Sequence, residues 1–415
     1  MSDYKCEVLV CGGGPGGLAA AVSAARLGAD TLLVERYGFL GGMATAGLVN
    51  PFMKYSTSEE QIIHGIFQEI LDRLNQKHAY GPYNSFDAEA FKLVADEMIQ
   101  DCGSRLLLHT HVSDVKVNGS LIDEVLVTGK SGPQSIKAQI FVDGTGDADL
   151  AFRSGAPCEL GRKLDSLTQP MTLNFRMSGV EIDRMPGWDK ITELYLKARE
   201  EKRVDCPRDN VLYFGTTHPN EIHFNTTRII CLNGTSSEDL TKAELEARKQ
   251  MWEIAAFLKS DVSGFENAYI QVSASQIGIR ETRRIVGEYV MTAEDVLEAR
   301  KFDDCIARGN YDVDIHDPKG GGTVIQSLDP AESYDIPYRA LVPLKIDNLL
   351  IAGRPISTTH EAHSSTRVMP IAIAIGEAAG TAAALSVKSN SILRKLNVKA
   401  LQEQLRTQGA NLGKF

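Results

Sequence analysis

A glycine-rich turn near the N-terminus constrains this chain more than any other feature. Residues 6–11 (CEVLVC) are apolar and typical of a short buried strand, and a G-x-G-x-x-G pattern follows at once. Residues 18–27 are small and apolar, as in a tightly packed helix, and residues 31–34 predict a second strand. Such a strand–turn–helix–strand unit favours a parallel sheet that binds a dinucleotide at the helix start.

Each part of this turn has a physical role in holding a diphosphate, although a purely structural turn is the alternative. Gly12 allows the tight turn, Gly14 lets the backbone approach the pyrophosphate, and Gly17 lets the helix pack close to the strand. The helix start adds unpaired N–H groups and a positive dipole end. Glu35 ends the second strand, where a carboxylate can accept both ribose hydroxyls of an ADP group. We therefore predict nucleotide contacts from Gly12, Gly14, Pro15, Gly16, Gly17, Glu35 and Arg36.

Composition limits the classes of partner. The chain has 415 residues, of which 43% are hydrophobic and 24% charged, as in an ordinary globular protein of two or three domains. The 44 basic and 54 acidic residues give a net charge of -10, which argues against nucleic-acid and anionic-membrane surfaces. No 18-residue uncharged apolar run follows the glycine segment, so we expect no membrane span.

The cysteines indicate a reducing, cytoplasmic location. There are seven, an odd number, and none forms a C-x-x-C pair. This pattern gives no disulfide framework, no iron–sulfur spacing and no dithiol-exchange centre. The aspartates around His316 are the residues expected in a turn, so we predict no metal site.

The pattern of predicted elements changes near residue 150. Before it, strands and helices alternate; after it, short half-buried strands dominate until residue 335. We predict an α/β fold: a Rossmann-like domain with a parallel sheet (residues 1–150 and 336–415) and an inserted α+β antiparallel-sheet substrate domain (151–335). The other predicted elements are helices over 59–77 and 85–101, the latter capped by Ser85, a strand over 136–142, a helix opened by Thr241, and a helix from Thr292 to near Gly309.

Four further segments indicate that the dinucleotide is FAD. A second glycine turn with Gly41, Gly42 and Met43 follows the acidic residue, where the chain can run along the pyrophosphate. Residues 141–147 resemble the strand and A-T-G turn of flavoproteins, and residues 348–354 resemble their late strand, with Arg354 in place of the usual acid. A small-residue helix predicted over residues 369–384, with the segment 376–380 near its start, could stabilise a reduced flavin through its dipole. The predicted contacts added by these segments are Gly41, Gly42, Met43, Val112, Gly144, Gly146, Gly353, Arg354, Val368, Gly376 and Ala379.

These motifs together resemble a bacterial FAD-dependent oxidoreductase family across nearly the whole chain. More distantly, the chain is similar to flavoprotein subunits of fumarate reductase and to tRNA-modifying flavoproteins. The resemblance rests on residues 12–17, 41–45, 143–149, 279–284, 314–316, 336–339, 352–354 and 360–380. It implies a two-dinucleotide-binding-domain fold, non-covalent FAD and an oxidoreductase activity. It implies no particular substrate, since most members have none assigned.

Several polar side chains are candidates for catalysis. His360, His363 and Arg367 form the densest polar cluster near the proposed flavin: a histidine there could exchange a substrate proton, and Arg367 could bind an anion. Arg280 and Arg283 belong to a run of three arginines on an extended stretch; because a strand alternates its faces, not all three can serve one site, and pairing with acids is the alternative. His316 beside Asp314 and Asp317 is a further candidate, and weaker ones are Tyr334, Tyr338 and His64, the last for a covalent flavin link.

We therefore predict a dehydrogenase or reductase that moves a hydride between a small organic substrate and flavin N5. An anionic substrate is one alternative within this hypothesis. A flavin monooxygenase or oxidase that uses O2 is the main alternative. A tRNA-modifying flavoprotein fits the acidic charge poorly, and a flavin subunit of an electron-transfer complex would need an outside carrier. An external electron acceptor or donor is required in each case, and a homo-oligomer is left open.

Overall fold

The architecture is that of a computed structural model, which describes residues 4–320 and 322–413. Its strands, in chain order, are β1 (Tyr4–Lys5), β2 (Val8–Cys11), β3 (Thr31–Val34), β4 (Arg105–Leu107), β5 (His111–Asn118), β6 (Leu121–Gly129), β7 (Gly132–Lys137), β8 (Ile140–Asp143), β9 (Cys158–Leu160), β10 (Phe175–Ser178), β11 (Tyr213–Gly215), β12 (Glu221–Phe224), β13 (Tyr269–Ser273), β14 (Arg283–Ile285), β15 (Cys305–Gly309), β16 (Val313–His316), β17 (Thr323–Gln326), β18 (Tyr334–Pro337) and β19 (Leu349–Ile351). Its α-helices are α1 (Pro15–Arg26), α2 (Ile66–Gln76), α3 (Ala88–Cys102), α4 (Asp149–Arg153), α5 (Trp188–Glu200), α6 (Ser237–Asp261), α7 (Ala293–Leu297), α8 (His360–Thr366), α9 (Met369–Ser389) and α10 (Val398–Thr407).

A five-stranded parallel sheet forms the centre of the protein. Its strand order is β19-β8-β2-β3-β4, and every neighbouring pair is parallel. The strands β2, β3, β8 and β19 are wholly buried, which explains their continuous apolar sequences. The predicted β2–α1–β3 unit and its parallel sheet are confirmed, and strand β19 brings a segment from the far end of the chain beside β8.

Small residues let helices α1 and α9 pack against each other at very short range. A Cβ on Gly376 of α9 would lie 2.0 Å from the carbonyl oxygen of Gly16 in α1, and one on Gly380 would lie 2.1 Å from that of Ala20. Helix α9 is long and apolar enough to span a membrane by length and composition alone, but 83% of its most apolar window is buried inside the protein. We therefore interpret α9 as a core helix, packed on α1.

Two four-stranded sheets rich in antiparallel pairs and three two-stranded sheets, β9-β14, β15-β18 and β16-β17, complete the described architecture. The sheet β1-β7-β6-β5 is antiparallel except for the β1–β7 pair. The sheet β11-β12-β10-β13 is wholly antiparallel, as predicted for the middle of the chain. Its apolar side chains form a hydrophobic core with α5 and α6, separate from the core around the parallel sheet.

The two cores divide the chain differently from the element pattern. The second core draws on residues 171–279, with Leu48 and Ala88 added, whereas buried apolar residues of the range 285–342 pack into the first core. The predicted domain limits at residues 150 and 335 stay a prediction.

Three predicted helix starts are wrong, because side chains other than the expected ones bind the backbone N–H groups at these positions. The expected helix over 59–77 begins only at Ile66, since the Thr57 hydroxyl accepts from the N–H groups of Glu59 and Glu60 and holds a turn there. Ser85 does not cap α3; the Asp87 carboxylate accepts from the N–H groups at 89 and 90. Thr241 lies inside α6, which Ser236 caps.

Two predicted ends are wrong because long-range pairing decides them. The single strand over 136–142 is two strands, since the chain passes from β7 in one sheet to β8 in the parallel sheet. The predicted helix start at Thr292 is confirmed, where Thr292 and Asp295 form a capping box, but α7 ends at Leu297. Residues 305–309, predicted as the end of this helix, form strand β15, which pairs with the distant β18.

Candidate functional site

A cavity of about 340 Å³ lies at the carboxyl ends of the parallel strands. The residues that directly follow four of these strands line it: Gly12, Glu35, Gly144 and Ala352. Ligands in open parallel sheets bind at this edge. The opposite wall comes from the antiparallel sheet and its neighbours, with Thr172, Asn174, Leu212, Phe214 and Asn225.

Gly14 shows that the glycine turn is built for a ligand. Its backbone is ordinary, with φ -67° and ψ -177°, so the conformation does not require glycine. A Cβ built there would have no protein atom closer than 3.8 Å and would enter the cavity, which Gly14 lines. The missing side chain therefore leaves room for something other than this protein's own packing. Gly17 differs: its Cβ would lie 1.8 Å from the Gly12 carbonyl oxygen, so it has the packing role expected.

The donors and acceptor around this space suit a nucleoside diphosphate. Gly14 is the N-cap of α1 and no side chain caps the helix, so its first N–H groups lie ready for an anion. Glu35 is buried at the cavity wall, and its carboxylate accepts from the N–H groups of Gly13 (2.7 Å) and Tyr37 (2.9 Å). These bonds fix the carboxylate and leave lone pairs for ribose hydroxyls.

Most of the predicted cofactor contacts meet at this cavity. The residues that line it are Gly12, Gly14, Pro15, Gly16, Glu35, Arg36, Gly42, Met43, Val112, Gly144, Gly146, Gly353, Arg354 and Val368. The predicted contacts that do not line it are Gly17, Gly41, Gly376 and Ala379. Their role in cofactor binding stays untested.

The helix expected to point at the flavin begins at Met369 as predicted, but only its first turn lines the cavity. Residues Gly376 and Ala379 lie within α9, where the glycine allows contact with α1. The helix begins at Met369 after the N-cap Val368, and both residues line the cavity. No side chain caps this end, so its N–H groups and positive dipole are directed towards the cavity region.

The Arg354 side chain holds two other segments of the cavity wall together. Its Nε donates to the Gly146 carbonyl (2.7 Å), and its Nη2 pairs with the Asp147 carboxylate (2.5 Å). The same guanidinium also donates to the carbonyl of Ile279. An arginine in this position, where flavoproteins carry an acid, is thus explained by a buried ion pair with Asp147.

Of the three arginines in the 280–284 run, only Arg280 lines the cavity. It donates to the Pro170 carbonyl (2.7 Å), the Thr172 hydroxyl (2.6 Å) and Asn225 Oδ1 (3.1 Å). Its partners in the described chain are therefore neutral.

The other two arginines of the run pair with acids. Arg283 pairs with Asp149 at 2.5 Å and stacks over Phe152. Arg284 pairs with the buried Glu281. The expectation that the three arginines point to different faces is confirmed.

His316 lies in the cavity wall with its imidazole held by a neighbouring strand. Nδ1 is 3.0 Å from the Thr323 hydroxyl, whereas Nε2 lies 3.7 Å from Asp314, too far for a hydrogen bond. Tyr311 donates to the same Asp314 carboxylate at 3.0 Å. Burial, followed by the charges of Arg280 and other arginines, lowers the pKa of His316 well below its usual value, so the ring is neutral at pH 7.

His360 is held in a buried polar network outside the cavity lining. Its Nδ1 is 2.9 Å from the Glu281 carboxylate, which also binds Arg284 and accepts from the Gln169 N–H (3.0 Å). Both acid and arginine are almost fully buried. This arrangement ties α8 to the 281–284 segment.

His363 is fully buried and also lies outside the cavity lining. Neither ring nitrogen has a hydrogen-bond partner in the described chain, and burial lowers the pKa of the ring well below its usual value, with a further contribution from Arg284. Arg367, at the end of the same helix, does line the cavity. The predicted catalytic roles of His360 and His363 stay predictions, and only Arg367 of the three reaches the cavity.

The weaker candidates have other neighbours. Tyr334 is buried against the Ser365 hydroxyl (2.7 Å), and the Tyr338 hydroxyl donates to the Leu393 carbonyl (3.0 Å). His64 Nε2 is 3.0 Å from the Gln61 carbonyl. None of the three lines the cavity.

Sequence reasoning missed two arginines near His316. The charges of Arg208 and Arg228 both lower the pKa of His316, and both side chains are almost fully buried. They are distant from each other and from Arg280 in sequence, so no local pattern could have grouped them. Within residues 4–320 and 322–413, no three histidine, cysteine or acidic side chains gather as a metal site.

The sequence matches a protein family over almost its whole length. The family model described as FAD dependent oxidoreductase matches residues 7–405. A thiamine thiazole synthase from Methanococcus aeolicus is 29% identical over 180 residues, which are 40% of this chain and 63% of that protein. The match thus covers less than two thirds of that relative.

Solved structures share the fold at low identity. A geranylgeranyl bacteriochlorophyll reductase-like protein from Thermoplasma acidophilum is similar with a TM-score of 0.51 and 13% identity, over 98% of this chain and 84% of that one. The flavin-dependent brominase Bmp2 is similar with a TM-score of 0.50 and 14% identity, over 98% and 83% of the two chains. At these identities the likeness concerns the fold.

Proposed function

This chain belongs to the family of FAD-dependent oxidoreductases, and we propose that it moves a hydride between a small organic substrate and N5 of FAD, with His316 exchanging the substrate proton. The observation that carries the proposal is a cavity whose wall combines the glycine turn with the neutral His316 and with Arg280 and Arg367. In a hydride transfer one carbon–hydrogen bond breaks and one proton must also move, so a proton acceptor beside the cofactor is needed.

The cofactor would be held by residues whose backbone or charge faces the cavity. Gly14 and the start of α1 would hold the pyrophosphate, Glu35 the ribose, and the start of α9 the end of the flavin that becomes negative on reduction. FAD supplies the two-electron chemistry when bound, because its N5 can accept or release a hydride.

His316 supports the proposal through its free ring nitrogen. Because Nδ1 is engaged with Thr323, Nε2 is the atom left to meet a substrate, and the neutral ring can accept a proton there. Arg280 and Arg367 in the same wall can bind and orient an acidic substrate. Asp314, fixed by Tyr311, lies close enough to stabilise the imidazolium that forms.

The test compares two histidines in anaerobic stopped-flow reduction of the bound FAD. The purified holoprotein is screened against 2-hydroxy acids, amines and sugars, and the fastest reductant is used with both variants. We expect His316→Gln to slow reduction by about 100-fold or more, the usual contribution of a general base, with FAD still bound. His363→Gln, outside the cavity lining, is the matched control.

The opposite ranking, with His363→Gln slow and His316→Gln unchanged, would move the proton-transfer role to α8. A complete lack of flavin reduction by every compound in the panel would contradict hydride transfer from such substrates. Reoxidation of the reduced protein in air then separates a dehydrogenase, which reacts slowly with O2, from the alternative oxidase or monooxygenase.

A further inference from the structure

The most unusual feature of this region is a group of four arginines without acid partners, two of which line the cavity and two of which are buried, and we call it the arginine cluster. It consists of Arg208, Arg228, Arg280 and Arg367. In the part of the chain that the structure describes, none of the four has a carboxylate oxygen within 4.0 Å, whereas Arg283, Arg284 and Arg354 nearby all do. Arg228 and Arg208 are only 2% and 5% exposed, so water does little to screen them.

The members of the arginine cluster influence one another. Burial, followed by the charge of Arg367 and then those of Arg208 and Arg228, lowers the pKa of Arg280 well below its usual value. Burial lowers the pKa of Arg208 to about 10, with a further contribution from Arg228. Buried like charges repel, and such an arrangement is costly unless an opposite charge is brought in.

Hydrogen-bonding capacity is also left over. Among the described residues, nothing accepts a hydrogen bond from the buried Nε atoms of Arg228 and Arg367. The Arg367 guanidinium has a single long contact, to Gln169 Oε1 at 3.5 Å, and Arg208 donates to Asn210 Oδ1 at 2.9 Å. Unsatisfied buried donors on cations indicate a missing acceptor.

Nearby acids leave an excess of positive charge. The charge of Asp314 raises the pKa of Arg280 and of Arg208, but this carboxylate already accepts a hydrogen bond from Tyr311. The charges of Asp209 and Asp317 raise the pKa of Arg228. However, the Asp209 side chain is mostly exposed, and its carboxylate lies 3.6 Å from Arg199. The acid side chains of this region therefore do not neutralise all four arginines.

We propose that the arginine cluster binds the substrate through at least two negative charges, so that the substrate is a small dicarboxylate or a phosphate ester. Arg280 and Arg367 line the cavity and would contact the anion, while Arg208 and Arg228 do not line it and would add to the positive potential at Arg280. The inference rests on the proposed function, because it takes the cavity to be the substrate site. Guanidinium groups suit both carboxylate and phosphate, and the shared chemistry is a multiply charged oxyanion.

The test measures anion binding to the oxidised holoprotein, without turnover. Malonate, inorganic phosphate and the neutral malonamide are titrated at constant ionic strength, and the change in the FAD absorbance spectrum gives the Kd. We expect malonate or phosphate to saturate the change and malonamide to give none. Saturation by malonate alone assigns a dicarboxylate, and saturation by phosphate alone assigns a phosphate ester.

Variants connect the binding to the arginine cluster. We expect Arg280→Gln to raise the Kd by about tenfold to a hundredfold, the range for a lost charged hydrogen bond, and Arg280→Lys to raise it less. Arg248→Gln is the matched control, since Arg248 is an exposed residue of α6 paired with Glu244. Far-ultraviolet circular dichroism and the FAD content check that each variant is folded and loaded.

Equal Kd values in Arg280→Gln and the control, or equal spectral changes with malonate and malonamide, would overturn the proposal. Because the assay needs no electron transfer, its result does not depend on hydride chemistry. Anion binding without flavin reduction by any acid would support anion binding at the arginine cluster and contradict the proposed hydride transfer. Flavin reduction by neutral compounds without any anion binding would support hydride transfer and contradict anion binding at the arginine cluster.

Discussion

Replacing Gly14 by valine should remove FAD while leaving the protein folded. The backbone at Gly14 has φ -67°, which valine tolerates, and a Cβ there would have no protein atom within 3.8 Å. Two small effects on stability oppose each other: valine is a poorer N-cap than glycine, but it reduces the entropy of the unfolded chain by about 0.4–1 kcal/mol. We therefore expect the free energy of unfolding of the apoprotein to change by less than about 1 kcal/mol.

The effect on the cofactor should be much larger. The valine side chain would occupy the space in which the pyrophosphate approaches the turn, so the cofactor must move away from the N–H groups of α1. Loss of even one or two charged hydrogen bonds costs about 1.5–3 kcal/mol each, which corresponds to a Kd raised by about tenfold to several hundredfold.

The assay is thermal unfolding of the deflavinated protein with and without added FAD, together with the flavin-to-protein absorbance ratio. FAD at 100 times its Kd stabilises the wild type by about 2.7 kcal/mol, so its Tm should rise, whereas the Tm of Gly14→Val should not. The matched control is Gly376→Ala, whose Cβ would lie 2.0 Å from the Gly16 carbonyl oxygen. That variant should lower the Tm of the apoprotein by overpacking. Stoichiometric FAD in Gly14→Val, or an apoprotein as unstable as Gly376→Ala, would refute the placement of the diphosphate.

Three further outcomes follow from the buried acids. Glu35→Gln should weaken FAD binding by about tenfold, because a charged acceptor for ribose hydroxyls becomes neutral; isothermal titration of the apoprotein measures this, and an unchanged Kd would contradict the assigned contact. Glu281→Gln should reduce the free energy of unfolding by about 3 kcal/mol or more in urea, since Arg284 and His360 lose their buried carboxylate; a loss below about 1 kcal/mol would show that the network contributes little. Burial raises the pKa of Glu377 to about 7, so the folded protein keeps this proton and its stability falls as the pH rises from about 4.5 through 7. Relative to wild type, Glu377→Gln should therefore gain up to about 3 kcal/mol of unfolding free energy between pH 5 and pH 8. Parallel curves of stability against pH for the two proteins would contradict the raised pKa.

Local chemistry explains what the sequence predicted well. The strand, glycine turn, helix and acid of residues 6–35 form one continuous segment, so each contact lies within reach of its neighbours in the chain. The cofactor wall around Gly12, Gly14 and Glu35 could therefore be predicted without any long-range information. The helix start at Thr292 was equally predictable, because the bonds that cap it are local.

Long-range packing decided the rest. Residues 136–142 (IKAQIFV) contain no glycine or proline that would mark a break, and only the sheets on either side divide them between β7 and β8. His360 and His363 formed the most suggestive polar cluster in the sequence, yet the turn of α8 places neither of them in the cavity wall. Gly376 suggested a flavin contact but allows α9 to pack against α1.

The sequence by itself determined the nucleotide-binding turn and the parallel sheet around it, since both depend on residue types at fixed short spacings. Only the tertiary structure decided which charged residues share the cavity. Arg280 and Arg367 in the cavity wall and the buried Arg208 and Arg228 come from separate segments, and the fold brings their charges close enough to lower the pKa of His316. Burial removes the water that would otherwise screen these charges, and no one-dimensional pattern records how deeply a side chain is buried or what lies beside it.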